Sequence, residues 1–487
     1  MAESRTTGAE RAGAPDGARA RRRRADAEQN YARIVETAAQ LLKEDPDAGL
    51  DAIAAAAGLG RATVYRHFHG RRELVAVARR HALDTADANE HDALRPAGEL
   101  DSGGSSPLDV ADVLNKVPPH LLGEQIVAEA QRIAGVSSVA LYLVDIDGSR
   151  LLRTAGSPEF PEELAAPLAV GPEIPRAGIP GLRRLIEQEL PGSVAAPLYL
   201  RGRAIGLLLA VRSPQEPLAE LARQAAAALE LAGAYTDVFD VARRRKDTSA
   251  AAEVQQATLP PRIARISGAV LAGNVLPSYE IGGDWFDYVE NPGGTWLGIA
   301  DAIGKGAAAA ALGAIALGAF RAGRRSGDDL VGIVASMHET LAQVGGANDS
   351  VAVTIARWHG AASTFTWISC GNPRPMRIDA AGGLEILGSQ SPPLGTPEVH
   401  AFSVEQIRLL PGERIVLASD GVTGRPTADG TPIGTDGIRE AAANVAATSA
   451  AGTVKAIEDA VRHASSEPLE DDATLIVLAP VDAPAAE

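Results

Sequence analysis

Cysteine and aromatic residues are scarce in this 487-residue chain: Cys370 is the single cysteine, and aromatic residues make up 4% of the sequence. One cysteine excludes an internal disulfide framework and a cysteine-rich zinc site, and it suits a reducing cytoplasm. The hydrophobic cores should therefore be built from Ala, Val, Leu and Ile. We expect Cys370 to be a small buried residue and not a nucleophile.

Long apolar runs and an excess of positive charge are also missing. The longest apolar candidate, residues 307–320, is mostly Ala and Gly. It is too short for a membrane span and is typical of a buried helix. Arginines near the N-terminus are followed by no apolar segment, which argues against a signal peptide. The net charge of −16 argues against wholesale coating of nucleic acid. We therefore expect a cytoplasmic protein with no membrane contact.

The charge is unevenly distributed along the chain. Residues 1–95 contain 16 basic and 15 acidic residues, whereas the rest contains 30 and 47. Any contact with nucleic acid should therefore lie near the N-terminus. The run from Arg21 to Arg24 is either a solvated charge run or an arm that contacts phosphates beside a DNA-binding unit.

The length predicts about three domains. Composition and hydrophobic periodicity divide the chain into seven segments. They are a disordered arm (1–28), a helical domain (29–84), a linker (85–107), an α+β domain (108–214), a connecting helix (215–257), an α/β domain (258–480) and a tail (481–487). The apolar stripe of the connecting helix favours pairing, either in a homodimeric coiled coil or with a partner in the same chain.

A short basic segment in the helical domain predicts contact with DNA. The turn Gly58-Leu59-Gly60 separates two predicted helices, so that the second helix can present its N-terminal end to a major groove. Polar side chains alternate there with apolar ones that we expect to be buried, Val64 and Phe68.

Residues 30–83 resemble the TetR-type helix-turn-helix. The matching motifs are Ala57-Gly58-Leu59, Thr63-Val64-Tyr65-Arg66-His67-Phe68 and Arg71-Arg72-Glu73-Leu74. The resemblance implies DNA binding through residues 29–84. It assigns bases or phosphates to Arg61, Thr63, Tyr65 and His67, and the DNA backbone to Arg71 and Arg72. The alternative is a helical module retained for packing or protein contact, because the usual TetR ligand-binding domain does not follow.

The second domain resembles a GAF domain. Its order of elements is a helix, the strand 138–145, a hairpin, a long loop, the paired strands 194–200 and 204–211, and an exit helix. The motif from Ala196 to Gly206 is typical of that family. This resemblance implies a sensor and names no ligand. A dimerisation and relay module without ligand is equally compatible.

Aspartates follow or precede apolar strands in the third domain. Strands that each deliver a carboxylate at one end can gather those groups at one edge of a sheet. Carboxylates without His or Cys favour Mg²⁺ or Mn²⁺ over Zn²⁺, and two such ions can activate water and hold a phosphate. The aspartates are Asp284, Asp301, Asp420, Asp471 and Asp472.

Residues 250–480 resemble a PPM-type phosphatase of the SpoIIE/RsbU branch. The motifs occur in family order and include Gly282-Gly283-Asp284-Trp285-Phe286-Asp287, Asp301-Ala302-Ile303-Gly304-Lys305-Gly306, Ser419-Asp420-Gly421 and Asp471-Asp472-Ala473-Thr474, after an entry motif from Gln255 to Pro261. The resemblance implies that Asp301 bridges two metal ions, Mn²⁺ or Mg²⁺, and that the Ala302 carbonyl joins one of them. It gives Asp420, Asp471 and Asp284 as further ligands, with Asp472 ranked second to Asp471, and makes Asp301 and Asp420 the catalytic residues.

The fold class predicted overall is multidomain: an all-α helix-turn-helix, an α+β GAF-like domain and an α/β-sandwich PPM phosphatase domain. The expected function is a metal-dependent protein serine/threonine phosphatase. By resemblance, its partner is a phosphorylated anti-sigma-factor antagonist, and the GAF sensor and DNA binding regulate it. The alternative is a TetR-like transcriptional regulator whose phosphatase domain is weakly active or serves signalling.

Overall fold

The computed structural model describes residues 30–42, 48–68, 74, 77–78, 107–211, 215–277, 279, 282–346, 349–397, 401–446 and 449–481. The chain divides into two compact units, Met1–Gly104 and Ser105–Glu487. The predicted arm 1–28 lies outside the described residues, as do nearly all of the predicted linker and tail. Pro107, which was assigned to the linker, is instead the first residue of a helix.

The N-terminal unit is helical. Helix α1 covers residues 30–42, α2 is Leu50–Ala56 and α3 is Arg61–His67. Gly58, between α2 and α3, has a φ of +64°, which glycine adopts without strain. The apolar side chains of the three helices form one core with helical residues further along, and its members are Ile34, Ile53, Val64, Phe68, Leu74 and Ala78.

The middle domain is an antiparallel sheet with helices on both faces, which agrees with the predicted α+β pattern. The sheet order is β3-β2-β1-β6-β4, with β5 also paired to β6. Its strands are β1 Val139–Val144, β2 Arg150–Gly156, β3 Glu163–Ala165, β4 Ile174–Pro175, β5 Ser193–Leu200 and β6 Arg203–Val211. Its helices are α4 Pro107–Lys116, α5 Leu122–Ala134, α6 Ile179–Glu189 and α7 Gln215–Ala232, with short 3₁₀ turns at Pro119–Leu121 and Arg176–Gly178.

Alternate residues of the central strands enter two separate cores, as the two-residue period of a strand requires. Leu141 and Leu143 of β1 pack under α4, α5 and α7. Tyr142 and Val144 pack on the opposite face with α6.

The prediction of one connecting helix over 215–257 is wrong. The stretch contains three helices: α7, which ends at Ala232, α8 (Val238–Ala242) and α9 (Ala250–Thr258). Gly233 follows the end of α7, and residues 243–249 form a non-helical segment. Ser249 caps the N-terminus of α9, because its side chain accepts the Ala252 N–H at 3.1 Å. It packs against the first long helix of the C-terminal domain and belongs to that domain.

The C-terminal domain is a sandwich of two antiparallel sheets between layers of helices. One sheet has the order β15-β12-β11-β10-β9 and the other β14-β13-β16-β17-β8-β7. The strands are β7 Ile263–Ile266, β8 Ala269–Leu276, β9 Trp285–Asn291, β10 Gly294–Ala302, β11 Val351–His359, β12 Thr364–Cys370, β13 Met376–Ile378, β14 Leu384–Ile386, β15 Glu405–Arg408, β16 Arg414–Ala418 and β17 Ala473–Pro480. The helices are α10 Gly306–Ser326, α11 Leu330–Val344, α12 Asp420–Thr423, α13 Gly434–Ala443 and α14 Ala450–Ala464, with a 3₁₀ turn at Gly360–Ala362.

Three cores hold these layers together. The first lies between the two sheets and contains Phe286, Ile299, Trp358, Leu417 and Ile476. The second joins α10 and α11 to the five-stranded sheet, and the third joins α13 and α14 to the other sheet. Helix α10 is long and apolar enough to span a membrane by length and composition alone. However, Leu312, Leu317 and Phe320 of that helix are buried in the second core, as in the core helix of a soluble domain.

Candidate active site

Five aspartates from both sheets of the sandwich lie at one end of the C-terminal domain. Asp301 is the penultimate residue of β10, and Asp284 immediately precedes β9. From the other sheet, Asp420 opens α12 after β16, and Asp471 and Asp472 immediately precede β17. The Asp301 carboxyl is close enough to Asp420, Asp471 and Asp284 for direct electrostatic interaction. The strand ends thus bring together the carboxylates that the sequence analysis singled out.

Asp284 is buried among other acidic groups. The Thr474 hydroxyl donates to its Oδ2 at 2.6 Å. Burial raises the pKa of Asp284 well above its ordinary value, and repulsion from Asp301 and Asp472 raises it further. A buried carboxylate surrounded by others is costly to ionise unless a cation neutralises it.

Asp472 links Asp284 to helix α9. Its Oδ2 accepts the Gln255 side-chain amide at 2.8 Å and the Asp284 backbone N–H at 3.2 Å. The same Gln255 amide donates to the Asp284 carbonyl oxygen at 3.0 Å. Burial raises the pKa of Asp472 to about 7. Its second oxygen, Oδ1, is buried and has no hydrogen-bond partner among the described residues.

Asp301 and Asp471 are also affected by their neighbours. Burial, followed by the Asp420 carboxylate, raises the pKa of Asp301 to about 7. Burial raises the pKa of Asp471 as well, and the nearby Lys305 ammonium opposes that shift. Ala302, whose carbonyl was predicted to be a ligand, is the buried last residue of β10, adjacent to Asp301.

Backbone contacts fix the two strand ends that carry Asp420 and Asp472. Ser419 and Thr474 exchange bonds: the Ser419 N–H donates to the Thr474 carbonyl, and the Ser419 hydroxyl accepts the Thr474 N–H, both at 2.9 Å. Gly421 is pressed against this junction, because a Cβ there would lie 2.0 Å from the Asp472 carbonyl oxygen. Only glycine permits this close approach.

The chemistry of the acidic cluster fits divalent metal ions. Its donors are carboxylate oxygens, which suit Mg²⁺ and Mn²⁺, and the mutual repulsion that raises the pKa of Asp284 and Asp301 is what a bound cation would relieve. The orphaned Asp472 Oδ1 is a further acceptor. Among the described residues, no three acidic, His or Cys side chains already form a complete ligand set. The residues that would hold the ions are Asp301, Asp420, Asp284 and Asp471, with Asp472 behind them.

Sequence reasoning missed two site residues. Gln255 was identified as part of an entry motif, and Lys305 was passed over as an ordinary loop residue. Gln255 bonds to the Asp472 carboxylate, and Lys305, at the N-terminus of α10, interacts with Asp471. The polar Gln255-Gln256 pair in an alanine-rich helix was the available signal for the first. Cys370 is fully buried, and burial raises its thiol pKa to about 12, as expected of a residue that is not a nucleophile.

The predicted DNA-binding residues lie on or beyond α3. Arg61 is exposed and forms a 3.0 Å ion pair with Asp51. Thr63 and His67 are half-buried, and the His67 ring lies 6.1 Å from that of Tyr31. Arg71, Arg72 and the side chain of Tyr65 lie outside the described residues.

Two family models match separate parts of the chain, one near its N-terminus and one over most of the C-terminal domain. Residues 291–480 match the family of stage II sporulation protein E (SpoIIE), and residues 34–78 match the tetR family of bacterial regulatory proteins. These two segments are therefore similar to a SpoIIE-type phosphatase domain and to a TetR-type N-terminal domain. The assignment of the middle domain as a GAF domain remains a prediction.

Individual proteins are similar to separate parts of the chain. Phosphoserine phosphatase RsbU of Bacillus subtilis is 25% identical over 235 residues, which are 48% of this chain and 70% of RsbU. The HTH-type transcriptional repressor LfrR of Mycolicibacterium smegmatis is 38% identical over 86 residues, which are 18% of this chain and 41% of the repressor. The SiaA-PP2C domain of Pseudomonas aeruginosa covers 48% of this chain and 94% of its own, with 17% identity and a TM-score of 0.41.

Proposed function

We propose that this protein is a divalent-metal-dependent phosphatase that removes phosphate from a phosphoserine or phosphothreonine of another protein. The observation that carries the proposal is the convergence of five aspartates from both sheets at one end of the sandwich, where no arginine of the described residues forms an ion pair with them. Carboxylates this close together repel one another, so their ionised forms need cations to neutralise them. A cluster of this kind is therefore more typical of a functional site than of a structural one.

In this proposal Asp301, which interacts with both Asp284 and Asp420, would bridge two ions, Mn²⁺ or Mg²⁺. When bound, the ions would supply a deprotonated water as nucleophile and neutralise charge on the phosphoryl group. Gln255 holds Asp472, which in turn accepts the backbone N–H of Asp284 and so orients that ligand. Lys305 adds a positive charge beside Asp471, at the open side of the cluster.

Hydrolysis of p-nitrophenyl phosphate by the full chain, with and without Mn²⁺, tests this proposal. We expect metal-dependent turnover that falls by about 10³-fold in Asp301→Ala and Asp420→Ala, because each removes several kcal/mol of metal-dependent stabilisation. Asp436→Ala is the matched control, since Asp436 is an exposed aspartate at the start of α13. Turnover without metal, or retained by Asp301→Ala, would contradict the proposal.

For the substrate we propose a phosphorylated anti-sigma-factor antagonist in the cytoplasm. Similarity to a phosphoserine phosphatase over 70% of its length supports a phosphoprotein substrate.

The middle domain is proposed to be a GAF sensor, which is supported by its antiparallel sheet with helices on both faces.

A homodimer through residues 215–257 is supported by the exposed apolar side chains of Leu231, Tyr235 and Val241. Sedimentation of the full chain and a Tyr235→Ser variant tests the dimer.

The second candidate function is DNA-binding transcriptional regulation through residues 29–84. The two short helices α2 and α3, joined at the left-handed Gly58 and matched by the tetR family, favour it. Selection of duplexes from a random pool by the full chain, followed by titration of the enriched duplex, tests it. Arg61→Ala should weaken binding by about tenfold, whereas Arg183→Ala, an exposed arginine of the middle domain, should not. Failure to enrich any sequence would count against this function.

A further inference from the structure

A cleft of about 300 Å³ lies where the middle domain meets the C-terminal domain. Its walls come from Glu173 and Arg203 of the middle domain, the non-helical segment 243–248, helix α9 and residues 259–262. None of the five clustered aspartates lines it. The cleft is therefore a second site, separate from the candidate active site, and its volume lies at the small end of the range for ligand pockets.

A smaller apolar cavity of about 90 Å³ adjoins this cleft. The two share Glu230, Asp240 and Arg243 as lining residues. The walls of the smaller cavity are otherwise apolar: Leu143, Ile205, Leu229, Gly233 and Phe239. This cavity lies on the face of the sheet covered by α7, because Leu143 and Ile205 belong to that core. The combined site thus has a charged part and an apolar part.

Three of the four arginines in the cleft have hydrogen-bond or ion-pair partners. Arg203 lies 2.8 Å from Glu173 and 3.1 Å from Glu230. Arg244 donates to Glu253 at 2.9 Å. Arg262 donates to the Pro260 carbonyl, Gln256 and Asn274.

Arg243 is the exception. Within the described part of the chain, its guanidinium donates no hydrogen bond and forms no ion pair, although Glu230 and Asp240 influence it from a distance. Its Nε is buried without a partner, and burial lowers the pKa of the guanidinium. A buried Nε–H with no acceptor is unfavourable.

Other donors in the same cleft also lack acceptors. The Nε of Arg244, the side-chain nitrogen of Gln256 and the hydroxyl of Thr248 are buried with no partner among the described residues. Together with the Nε of Arg243, four buried donor groups around the cleft therefore lack an acceptor among the described residues. An occupant that accepts hydrogen bonds and places a negative charge beside Arg243 would satisfy them.

We propose that this cleft binds a small organic acid that carries one anionic group and one apolar group. The anionic group accepts hydrogen bonds from Arg243, and the apolar group enters the smaller cavity between Leu143, Ile205 and Phe239. Both domains contribute walls to the cleft, so the bound acid would contact the two domains at once.

Titration calorimetry of the full chain with benzenesulfonate tests the proposal, with the neutral benzenesulfonamide as a matched ligand. We expect saturable binding of one benzenesulfonate per chain with a Kd below about 1 mM, and at least tenfold weaker binding of the sulfonamide. Arg243→Gln should weaken benzenesulfonate at least tenfold, and Arg243→Lys should recover part of the loss. Arg245→Gln should leave binding unchanged, because Arg245 lies in the same segment and does not line the cleft.

A second variant tests the apolar part without removing a charge. A Cβ at Gly233 would come no closer than 3.6 Å to surrounding atoms, so Gly233→Leu can place a side chain there at little cost. It should abolish binding while the thermal unfolding temperature stays within a few degrees. Absence of benzenesulfonate binding, equal binding of the neutral analogue, or unchanged binding in both Arg243→Gln and Gly233→Leu would overturn the proposal.

Discussion

In the cleft between the two domains, buried carboxylates face guanidinium groups, whereas at the ends of β10 and β17 they face one another. Glu173 lies 2.8 Å from Arg203, and both side chains are about 5% exposed. Asp301 and Asp284 have other aspartates as their main charged neighbours. The Glu173–Arg203 pair is compensated and supports the domain junction. In the proposed function cations complete the second arrangement, and this difference would distinguish a structural group of acids from a functional one.

The largest expected effect is on the stability of the protein when the Glu173–Arg203 pair of the cleft is broken. Glu173→Ala removes the partner of Arg203 and also the acceptor of the Ile263 N–H, which donates to Glu173 at 2.8 Å across the domain junction. We expect a loss of about 3–5 kcal/mol in the free energy of unfolding, measured with urea, because the buried Arg203 guanidinium keeps only the partly exposed Glu230 among its described partners and the Ile263 N–H loses its acceptor.

Glu163→Ala is the control for this variant. Glu163 has ion pairs at 4.0 Å with Arg150 and Arg245, and its side chain is 46% exposed. Its removal should change the free energy of unfolding by less than about 1 kcal/mol. Equal effects of the two variants would mean that the cleft pair adds nothing beyond an exposed one.

A second prediction concerns the aspartate cluster, whose carboxylates face one another. Gln255→Leu removes the only side-chain amide bonded to Asp472 Oδ2 among the described residues. Because the same oxygen accepts the Asp284 N–H, Asp284 should then be held less firmly in its orientation. We expect turnover of p-nitrophenyl phosphate, or affinity for Mn²⁺, to fall by about 10–100-fold. Val254→Ala, an exposed neighbour on α9, should change neither. Full activity in Gln255→Leu would show that Asp472 needs no support from α9.

A third prediction uses a buried acid that belongs to neither group. Glu458 of α14 accepts the Asn274 amide at 2.7 Å, and burial raises its pKa to about 7. The folded protein therefore holds a proton that the unfolded chain releases between pH 4.5 and 7, and stability falls as pH rises through that range. Glu458→Gln should remove this slope and stabilise the protein by about 1–2 kcal/mol at pH 8. Urea unfolding at pH 5 and pH 8 measures the difference, and an unchanged slope would refute the assignment.

The smallest effect is expected at Lys305. Its ammonium is exposed and opposes the rise in the pKa of Asp471. Lys305→Gln should raise the KM for p-nitrophenyl phosphate by about two- to fivefold and leave kcat nearly constant, because an exposed charge contributes little. Arg325→Gln, at the opposite end of α10, is the control. A large loss of kcat would instead place Lys305 at the reacting phosphate.

Most of the sandwich and its aspartates could be predicted from the sequence. Asp301 and Asp420 lie at the C-terminal ends of apolar strands, and Asp472 immediately precedes one. The break in the connecting stretch was missed for a different reason. Apolar residues continue with helical spacing on both sides of Gly233, so periodicity does not reveal where α7 ends and α9 joins another domain. Gln255 was missed because its partner, Asp472, lies 217 residues away. Such a contact is a property of the tertiary structure and leaves no local pattern.

The position of β17 has a consequence for how this domain is made. Residues 473–480 form the strand that lies between β16 and β8 in the six-stranded sheet. During synthesis, therefore, nearly two hundred residues are added between β8 and its neighbour β17. The six-stranded sheet cannot form completely before residue 480 has been added. Asp471 and Asp472 enter the cluster in the same event. The middle domain, whose last core helix α7 ends at Ala232, is complete in the chain well before then, so it can fold before the six-stranded sheet of the C-terminal domain closes.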